Sequence, residues 1–187
     1  TSEDLEEFYK KLERLKSGDS LVLSGNVPPS LPDYTYALIM EKLSDRDIKI
    51  FVDAAGSLLV KSLSCRPFLV KPNLEELEAV YGTKCTDIDD VVRLAHELRT
   101  GGARNVLVSL GSVGAILLCE DGSMYQCAAP SGLAQSTVGA GDSMVAGFIY
   151  GCLSESEAAP LLLNDPARAL AYAVAAGSAT VFSPDLA

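Results

Sequence analysis

The segment STVGAGDSMVAGF, residues 136–148, carries the strongest local signal in the sequence. Two glycines and an aspartate precede an apolar run of small residues, a pattern that predicts a glycine-rich turn leading into a buried helix. The free amides and positive dipole end of such a helix favour an anion. Asp142 would lie at the mouth of that anion site, either as a reacting carboxylate or simply as the helix N-cap.

Helical and extended patterns alternate on either side of this segment. The patterns predict strands at 20–23, 48–52, 68–70 and 105–110, helices at 3–16, 31–43, 73–81 and 88–100, and a hairpin formed by 115–119 and 124–128. Such alternation predicts an α/β fold with a mostly parallel sheet and helices on both faces. Ligands of these sheets bind at the carboxyl ends of the strands. Polar or glycine-rich residues follow four of the predicted strands, at 24–25, 53, 71–73 and 109–111.

Other glycine motifs do not fit the segment. A dinucleotide-binding fingerprint requires glycine where Met144 stands, which disfavours a nicotinamide-dependent oxidoreductase. A Walker A loop requires a Gly-Lys-Ser/Thr run, which the chain lacks, and a nucleophile elbow around Ser143 requires glycine in place of Val145.

Composition restricts the classes of partner. The 187 residues carry 15 Lys and Arg against 25 Asp and Glu, a formal net charge of -10. This charge argues against nucleic acid or an anionic membrane as partner but permits a small anionic substrate held by local groups. The apolar runs fall short of the roughly 20 residues that a membrane span needs. The five cysteines are odd in number and form no CxxC pair, so we expect reduced thiols and a cytoplasmic protein.

Five motifs in order along the chain carry a family resemblance. They are Ser24-Gly25-Asn26-Val27-Pro28, Lys71-Pro72-Asn73-x-x-Glu76, Ser109-Leu110-Gly111-x-x-Gly114, the glycine loop with Thr137 and Asp142, and Ala175-Ala176-Gly177-Ser178-Ala179. Together they resemble the ribokinase-like carbohydrate kinases, and within them the phosphofructokinase-B branch, which phosphorylates sugar phosphates. Asn26 and Val27 depart from the Ser-Gly-Ser-Leu-Pro loop of that branch.

The resemblance implies a role for each motif. Asp142 would be the base that takes the proton of the sugar hydroxyl, and Gly139, Ala140 and Gly141 would offer amides to the transferring phosphoryl group. ATP would be bound by Lys71, Asn73, Ser109, Gly111, Gly114, Thr137, Gly177 and Ser178. Mg²⁺ would be ordered by Asn73 and Glu76, through water.

Several of these residues also have a purely structural interpretation. Asn73 and Glu76 have the spacing of a helix capping box, and Lys71 could be a solvated lysine at a strand end. Ser109, Gly111 and Gly114 could form a turn between strands, and Gly177 and Ser178 could serve close helix packing. Asp53 reads as a cap or turn former and is left out of the predicted site.

Members of this family are substantially longer than the 187 residues of this chain. We expect residues 1–187 to form one ribokinase-like nucleotide-binding and catalytic domain, truncated at both ends and lacking the family's N-terminal strands and β-lid. The doubly wound sheet would then expose an edge, so the piece alone should associate or be poorly soluble, and should be inactive. In the full-length protein a homodimer is possible.

The expected reaction is ATP-dependent phosphorylation of fructose 1-phosphate to fructose 1,6-bisphosphate, because residues 66–73 and 143–148 are most similar to 1-phosphofructokinases. Fructose 6-phosphate and tagatose 6-phosphate are alternative acceptors within the same family. A nucleotide- or sugar-phosphate-binding module without catalysis is a further alternative, disfavoured because such a module needs no base at Asp142.

Overall fold

The computed structural model describes residues 2–153 and 163–184, with side chains from residue 6 onward. The helices are α1 (Ser2–Leu12), α2 (Thr35–Lys42), α3 (Gly56–Ser62), α4 (Leu74–Tyr81), α5 (Ile88–Thr100), α6 (Ala140–Cys152) and α7 (Pro166–Phe182). The strands are β1 (Ser20–Ser24), β2 (Lys49–Asp53), β3 (Leu69–Val70), β4 (Asn105–Ser109), β5 (Ala115–Leu118) and β6 (Met124–Cys127). Across these described stretches, the helices are too short or too polar to cross a bilayer.

The six strands form one sheet in the order in which they occur along the chain. β1 to β4 are parallel, whereas β5 and β6 are antiparallel and form the predicted hairpin. Because every parallel crossover steps in the same direction, right-handed connections place α2 to α5 on one face of the sheet. α6 and α7 follow the last strand and cover the other face. The predicted mostly parallel sheet with helices on both faces is therefore confirmed.

Strand side chains alternate between two buried clusters, one on each face. In β4, Val106 and Val108 point toward the cluster formed with α1 to α5, and Leu107 points toward the cluster formed with α6 and α7. On the second face Phe51 packs edge-on against Phe148, with 6.5 Å between ring centroids. The continuous apolar character of the central strands follows from burial on both sides.

The main differences from the sequence predictions lie at three places, and most other boundaries shift by about one residue. α1 ends at Leu12 and not at residue 16. α2 begins at Thr35 and not at residue 31, because Pro32 lies in a turn and its carbonyl accepts hydrogen bonds from the Thr35 amide and hydroxyl. α3 was not predicted. It is short, and its N-cap residue Ala55 has no side chain that could cap the helix, so the sequence carries no start signal. α5 has the predicted bounds.

Candidate active site

The carboxyl ends of β1 to β4 meet at one edge of the sheet, as parallel strands require. Ser24 and Asp53 are the last residues of β1 and β2, and Lys71 directly follows β3. The start of α6 reaches the same edge from the opposite end of the sequence. A Cβ atom placed on Gly141 would lie 3.1 Å from Lys71 Nζ and 3.5 Å from Asp53 Oδ2. The fold therefore brings the glycine loop against the ends of the parallel strands.

The first turn of α6 leaves backbone amides without a side-chain cap. Its N-cap is Gly139, whose φ of 76° lies in the left-handed region that favours glycine. No side chain caps the helix, so the amides and the positive dipole end of this 13-residue helix can serve an anion. Since the helix begins at Ala140, Asp142 is its third residue. The interpretation of Asp142 as N-cap is therefore wrong.

Asp142 is held by a residue 118 positions away. Its Oδ1 accepts a hydrogen bond of 2.8 Å from the Ser24 hydroxyl. The end of β1 at Ser24 is fixed in turn by the buried Tyr36, whose hydroxyl donates to the Ser24 carbonyl at 2.7 Å and to the Gly25 carbonyl at 3.1 Å. The carboxylate remains solvent-exposed and oriented, a state in which it can accept a proton.

Lys71 and Asp53 form a buried ion pair beside the glycine loop. Lys71 Nζ lies 2.9 Å from Asp53 Oδ1, and the two side chains are only 5% and 14% exposed. The interpretation of Lys71 as a solvated lysine is therefore wrong. Burial raises the pKa of Asp53, the Lys71 ammonium opposes that rise, and the charges of Asp142 and Glu76 add to it. The Asp142 and Glu76 carboxylates therefore lie near enough to Asp53 to act on it electrostatically.

Asp53 is the residue that the sequence reasoning left out. Considered alone, an aspartate at a strand end is most often a cap or a turn former. The available signal was its position, because it ends a parallel strand just as Ser24 does and therefore lies at the same edge of the sheet.

Asn73 and Glu76 form the capping box that their spacing suggested. The Glu76 amide donates to Asn73 Oδ1 and the Asn73 amide donates to Glu76 Oε2, both at 2.8 Å. This interaction starts α4 at the carboxyl ends of the strands and fixes both side chains. The capping role leaves their predicted metal role untested.

A cleft of about 710 Å³ opens beside the start of α6, within the size range of small-molecule sites. All eight residues predicted to bind ATP line this cleft: Lys71, Asn73, Ser109, Gly111, Gly114, Thr137, Gly177 and Ser178. Ala140 and Gly141 of the glycine loop line it as well. Met144, Val174, Val181 and Phe182 add an apolar wall. One end of the cleft is thus apolar and could accommodate a nucleobase. The other end is rich in polar groups and backbone amides.

Gly177 serves packing as well as the cleft. A Cβ atom at this position would lie 2.5 Å from Met144 Cγ and 3.3 Å from the Ala140 carbonyl oxygen, so only glycine lets α7 approach the start of α6 this closely. The alternative interpretation as a helix-packing residue is confirmed. Packing and lining coincide here, because the helix contact itself forms one wall of the cleft.

Fold and site together define a class: an α/β protein with a cleft of about 710 Å³, an uncapped helix start that can serve an anion, and an oriented carboxylate at the carboxyl ends of its strands. More specifically, the chain belongs to the pfkB family of carbohydrate kinases, which matches residues 1–187.

Known members of the family are similar over nearly the whole chain. The 1-phosphofructokinase of Bacillus subtilis (strain 168) is 37% identical over 186 residues, which cover 100% of this chain and 58% of that protein. The D-tagatose-1-phosphate kinase of Bacillus licheniformis is 32% identical over 97% of this chain and 57% of its own length. The phosphofructokinase-2 of Escherichia coli, solved in complex with substrates and products, superposes with a TM-score of 0.83 at 31% identity, covering 98% of this chain and 59% of that one. The chain thus spans less than two thirds of the length of these relatives.

Proposed function

We propose that the protein transfers the γ-phosphoryl group of ATP to a hydroxyl of a sugar phosphate, with fructose 1-phosphate as first choice and fructose 1,6-bisphosphate as product. One observation carries the proposal most directly. Asp142 is oriented by Ser24 at the uncapped start of α6, and the adjacent residues Ala140 and Gly141 line the cleft of predicted nucleotide-binding residues. A base beside an anion site is the arrangement that phosphoryl transfer to an alcohol requires.

In the proposed reaction the sugar hydroxyl oxygen bonds to the γ-phosphorus while the bond from that phosphorus to the β–γ bridging oxygen breaks, and ADP leaves. The hydroxyl proton passes to the Asp142 carboxylate. The amides of Gly139, Ala140 and Gly141 would donate to the transferring group at the helix start, and the Ala140 amide would exchange its 3.3 Å bond to the Thr137 carbonyl for this contact. Positioning and electrostatics carry such a reaction, because phosphoryl transfer leaves little covalent chemistry to the protein.

Lys71 supplies positive charge next to the glycine loop. Its ammonium is held by Asp53 at 2.9 Å and faces Gly141, so it stays in place before ATP binds. In the proposed complex Lys71 neutralises phosphate oxygens at the mouth of the cleft. Asp53 acts as a positioning residue for Lys71.

Mg²⁺ would neutralise part of the triphosphate charge, and Asn73 and Glu76 would hold it through water. Both side chains are fixed at the catalytic edge by their capping box. Over residues 2–153 and 163–184 no three Asp, Glu, His or Cys side chains are gathered as a direct metal cage. Mg²⁺ usually keeps several waters and takes its remaining ligands from phosphates.

The acceptor is tested by measuring ADP release with Mg-ATP in the full-length protein that contains this chain. The kcat/KM values for fructose 1-phosphate, fructose 6-phosphate, tagatose 6-phosphate and tagatose 1-phosphate would be compared. We expect fructose 1-phosphate to be preferred, because similar proteins are named 1-phosphofructokinases. Tagatose 1-phosphate is included because another similar protein is named D-tagatose-1-phosphate kinase. Preference for another acceptor would change the substrate and keep the mechanism. Absence of turnover with all four would contradict the proposal.

The role of Asp142 is tested by Asp142→Asn in the same full-length protein. We expect kcat to fall by about 10² to 10⁴ while ATP affinity stays nearly unchanged, because the substitution removes only the proton acceptor. Asp87→Asn, at the N-cap of α5, is a matched control that should leave kcat unaltered. Loss of ATP binding equal to the loss of turnover would contradict this role for Asp142.

We further propose that the full-length protein is a homo-oligomer in the cytoplasm. A solved form of the E. coli phosphofructokinase-2 is described as tetrameric and inhibited. Light scattering on the full-length protein would measure the oligomeric state, and a strictly monomeric, fully active protein would contradict the proposal. The 187-residue chain alone is expected to associate and to show no turnover.

A further inference from the structure

A second cleft lies at the amino ends of the strands, opposite the proposed active site at their carboxyl ends. Its volume is about 320 Å³, and its lining includes Arg66, Arg99, Thr100, Gly102, Arg104 and Glu120. Arg66 precedes β3 and Arg104 directly precedes β4. The amino ends of parallel strands share one edge of a sheet, and the carboxyl ends share the other. The second cleft is therefore separated from the 710 Å³ cleft by the length of the strands.

Positive charge is concentrated in this cleft although the chain as a whole is acidic. Three arginines and one glutamate line it, an excess of two positive charges in a chain of net charge -10. Glu120 is shared by two of the arginines, with Arg104 Nε at 2.8 Å from Oε2 and Arg66 Nη2 at 3.4 Å from Oε1. For Arg99, the described part of the chain offers no carboxylate at ion-pair distance.

The acidic groups at the margin of the cleft are engaged elsewhere. The Asp47 carboxylate forms an ion pair with Lys49, whose Nζ lies 2.9 Å from Asp47 Oδ1. Asp121 accepts hydrogen bonds from the amide and hydroxyl of Ser123, at 2.8 and 2.6 Å. Asp47 still acts on Arg104 and Asp121 on Arg99 through longer-range attraction, but neither carboxylate forms an ion pair with an arginine of the cleft.

Two arginines are held in fixed positions. Arg66 is the one non-glycine residue with positive φ in the described ranges, at 54°, and its amide donates to the Leu63 carbonyl at 2.9 Å. Left-handed backbone at an arginine is uncommon and is retained where the surroundings fix it. Arg104 lies over the Phe68 ring at 5.4 Å, and its amide donates to the Pro67 carbonyl. The guanidinium groups are thus presented by ordered backbone.

We propose that this arginine cleft binds a phosphate group of a small anion. Arginine presents a fork of N–H donors that matches phosphate oxygens. Three guanidinium groups around one cleft suit an anion with oxygens on several sides, which a tetrahedral phosphate has and a planar carboxylate lacks. The ligand displaces Glu120 from Arg66, whose exposed side chain forms only a long ion pair that contributes little.

The test is protection of individual arginines from phenylglyoxal, read by peptide mass spectrometry on the full-length protein that contains this chain. Pyrophosphate should slow labelling of Arg99 and Arg66 several-fold and leave Arg93 unchanged, because Arg93 lies on the same helix with its own partner Asp90. The larger cleft has no arginine in its lining, so phosphate bound there does not affect this readout. Inorganic phosphate and a sugar phosphate, tested separately, identify the source by the lower concentration for half-protection.

Equal labelling with and without pyrophosphate would overturn the proposal. Equal protection by sodium acetate or chloride would also overturn it, because that result indicates charge screening and not a site for phosphate. Glu120→Gln provides the second measurement. It removes the carboxylate that competes with the ligand, so the concentration for half-protection should fall several-fold. An unchanged or higher concentration would contradict the assigned competition.

Discussion

Replacing Lys71 with methionine should destabilise the fold strongly, because it leaves the Asp53 carboxylate buried without its cation. The two side chains are 5% and 14% exposed and their charged atoms lie 2.9 Å apart. Removing one member of a buried pair typically costs about 3–5 kcal/mol. For a domain of this length about 2–4 °C of melting temperature corresponds to each kcal/mol, so we expect a decrease of roughly 6–20 °C.

The loss should depend on pH in a defined direction. Burial raises the pKa of Asp53 above its ordinary value of 3.8, and Lys71 opposes that rise. A carboxyl with a raised folded-state pKa contributes stability below its unfolded pKa, and that contribution is lost as pH rises through the folded pKa. Without Lys71 the folded pKa of Asp53 rises further, so the deficit of Lys71→Met should be largest at neutral pH and shrink on acidification.

Chemical denaturation of the chain at neutral and mildly acidic pH measures both effects. Lys61→Met is the matched control, because Lys61 pairs with Asp33 in solvent and its loss should change stability little. Asp53→Asn combined with Lys71→Met should cost less than the sum of the single changes. A deficit for Lys71→Met that stays small, or that is equal at both pH values, would refute the buried-pair reasoning.

Three further predictions concern the same edge of the sheet and its helices. Ser24→Ala should lower kcat of the full-length protein about tenfold with ATP affinity retained, because it removes the donor that orients Asp142; unchanged kcat in steady-state assays would show that the hydrogen bond is dispensable. Gly177→Ala should cost about 1–3 kcal/mol in denaturant titrations and raise the KM for ATP, because its Cβ would meet Met144 at 2.5 Å; a neutral result would mean that the helices separate freely. Burial raises the pKa of Cys152 to about 12, so iodoacetamide should alkylate it only after unfolding, as counted by mass spectrometry, and rapid native labelling would contradict the buried environment.

Local sequence patterns were sufficient for most of the secondary structure. The bounds of α5 and the hairpin of β5 and β6 follow from hydrophobic period, capping residues and turn residues, which act over a few positions. The capping box of Asn73 and Glu76 is of the same kind. α3 escaped prediction because a seven-residue helix after an alanine N-cap offers neither a clear period nor a cap.

The residues of the candidate site were named from motifs, and their proximity follows from the order of the strands. Parallel pairing puts the carboxyl ends of β1 to β4 together, so the candidates at or after those ends, Lys71, Asn73, Ser109, Gly111 and Gly114, could be assigned to one place in advance. Thr137, Gly177 and Ser178 join them only because α6 and α7 pack across the sheet. Their individual roles stay predictions, as do the acceptor and the metal.

The sequence by itself determined the alternation of strands and helices, the glycine turn before α6 and the family, because these depend on local spacing. Only the tertiary structure decided that Ser24 donates to Asp142 across 118 residues, that Lys71 is buried against Asp53, and that Asp142 is not the N-cap. The physical reason is that these contacts join distant segments: the ion pair follows from the pairing of β2 with β3, and the hydrogen bond from how α6 packs across the sheet. That packing is set by two separate apolar clusters and not by the residues that form the contacts.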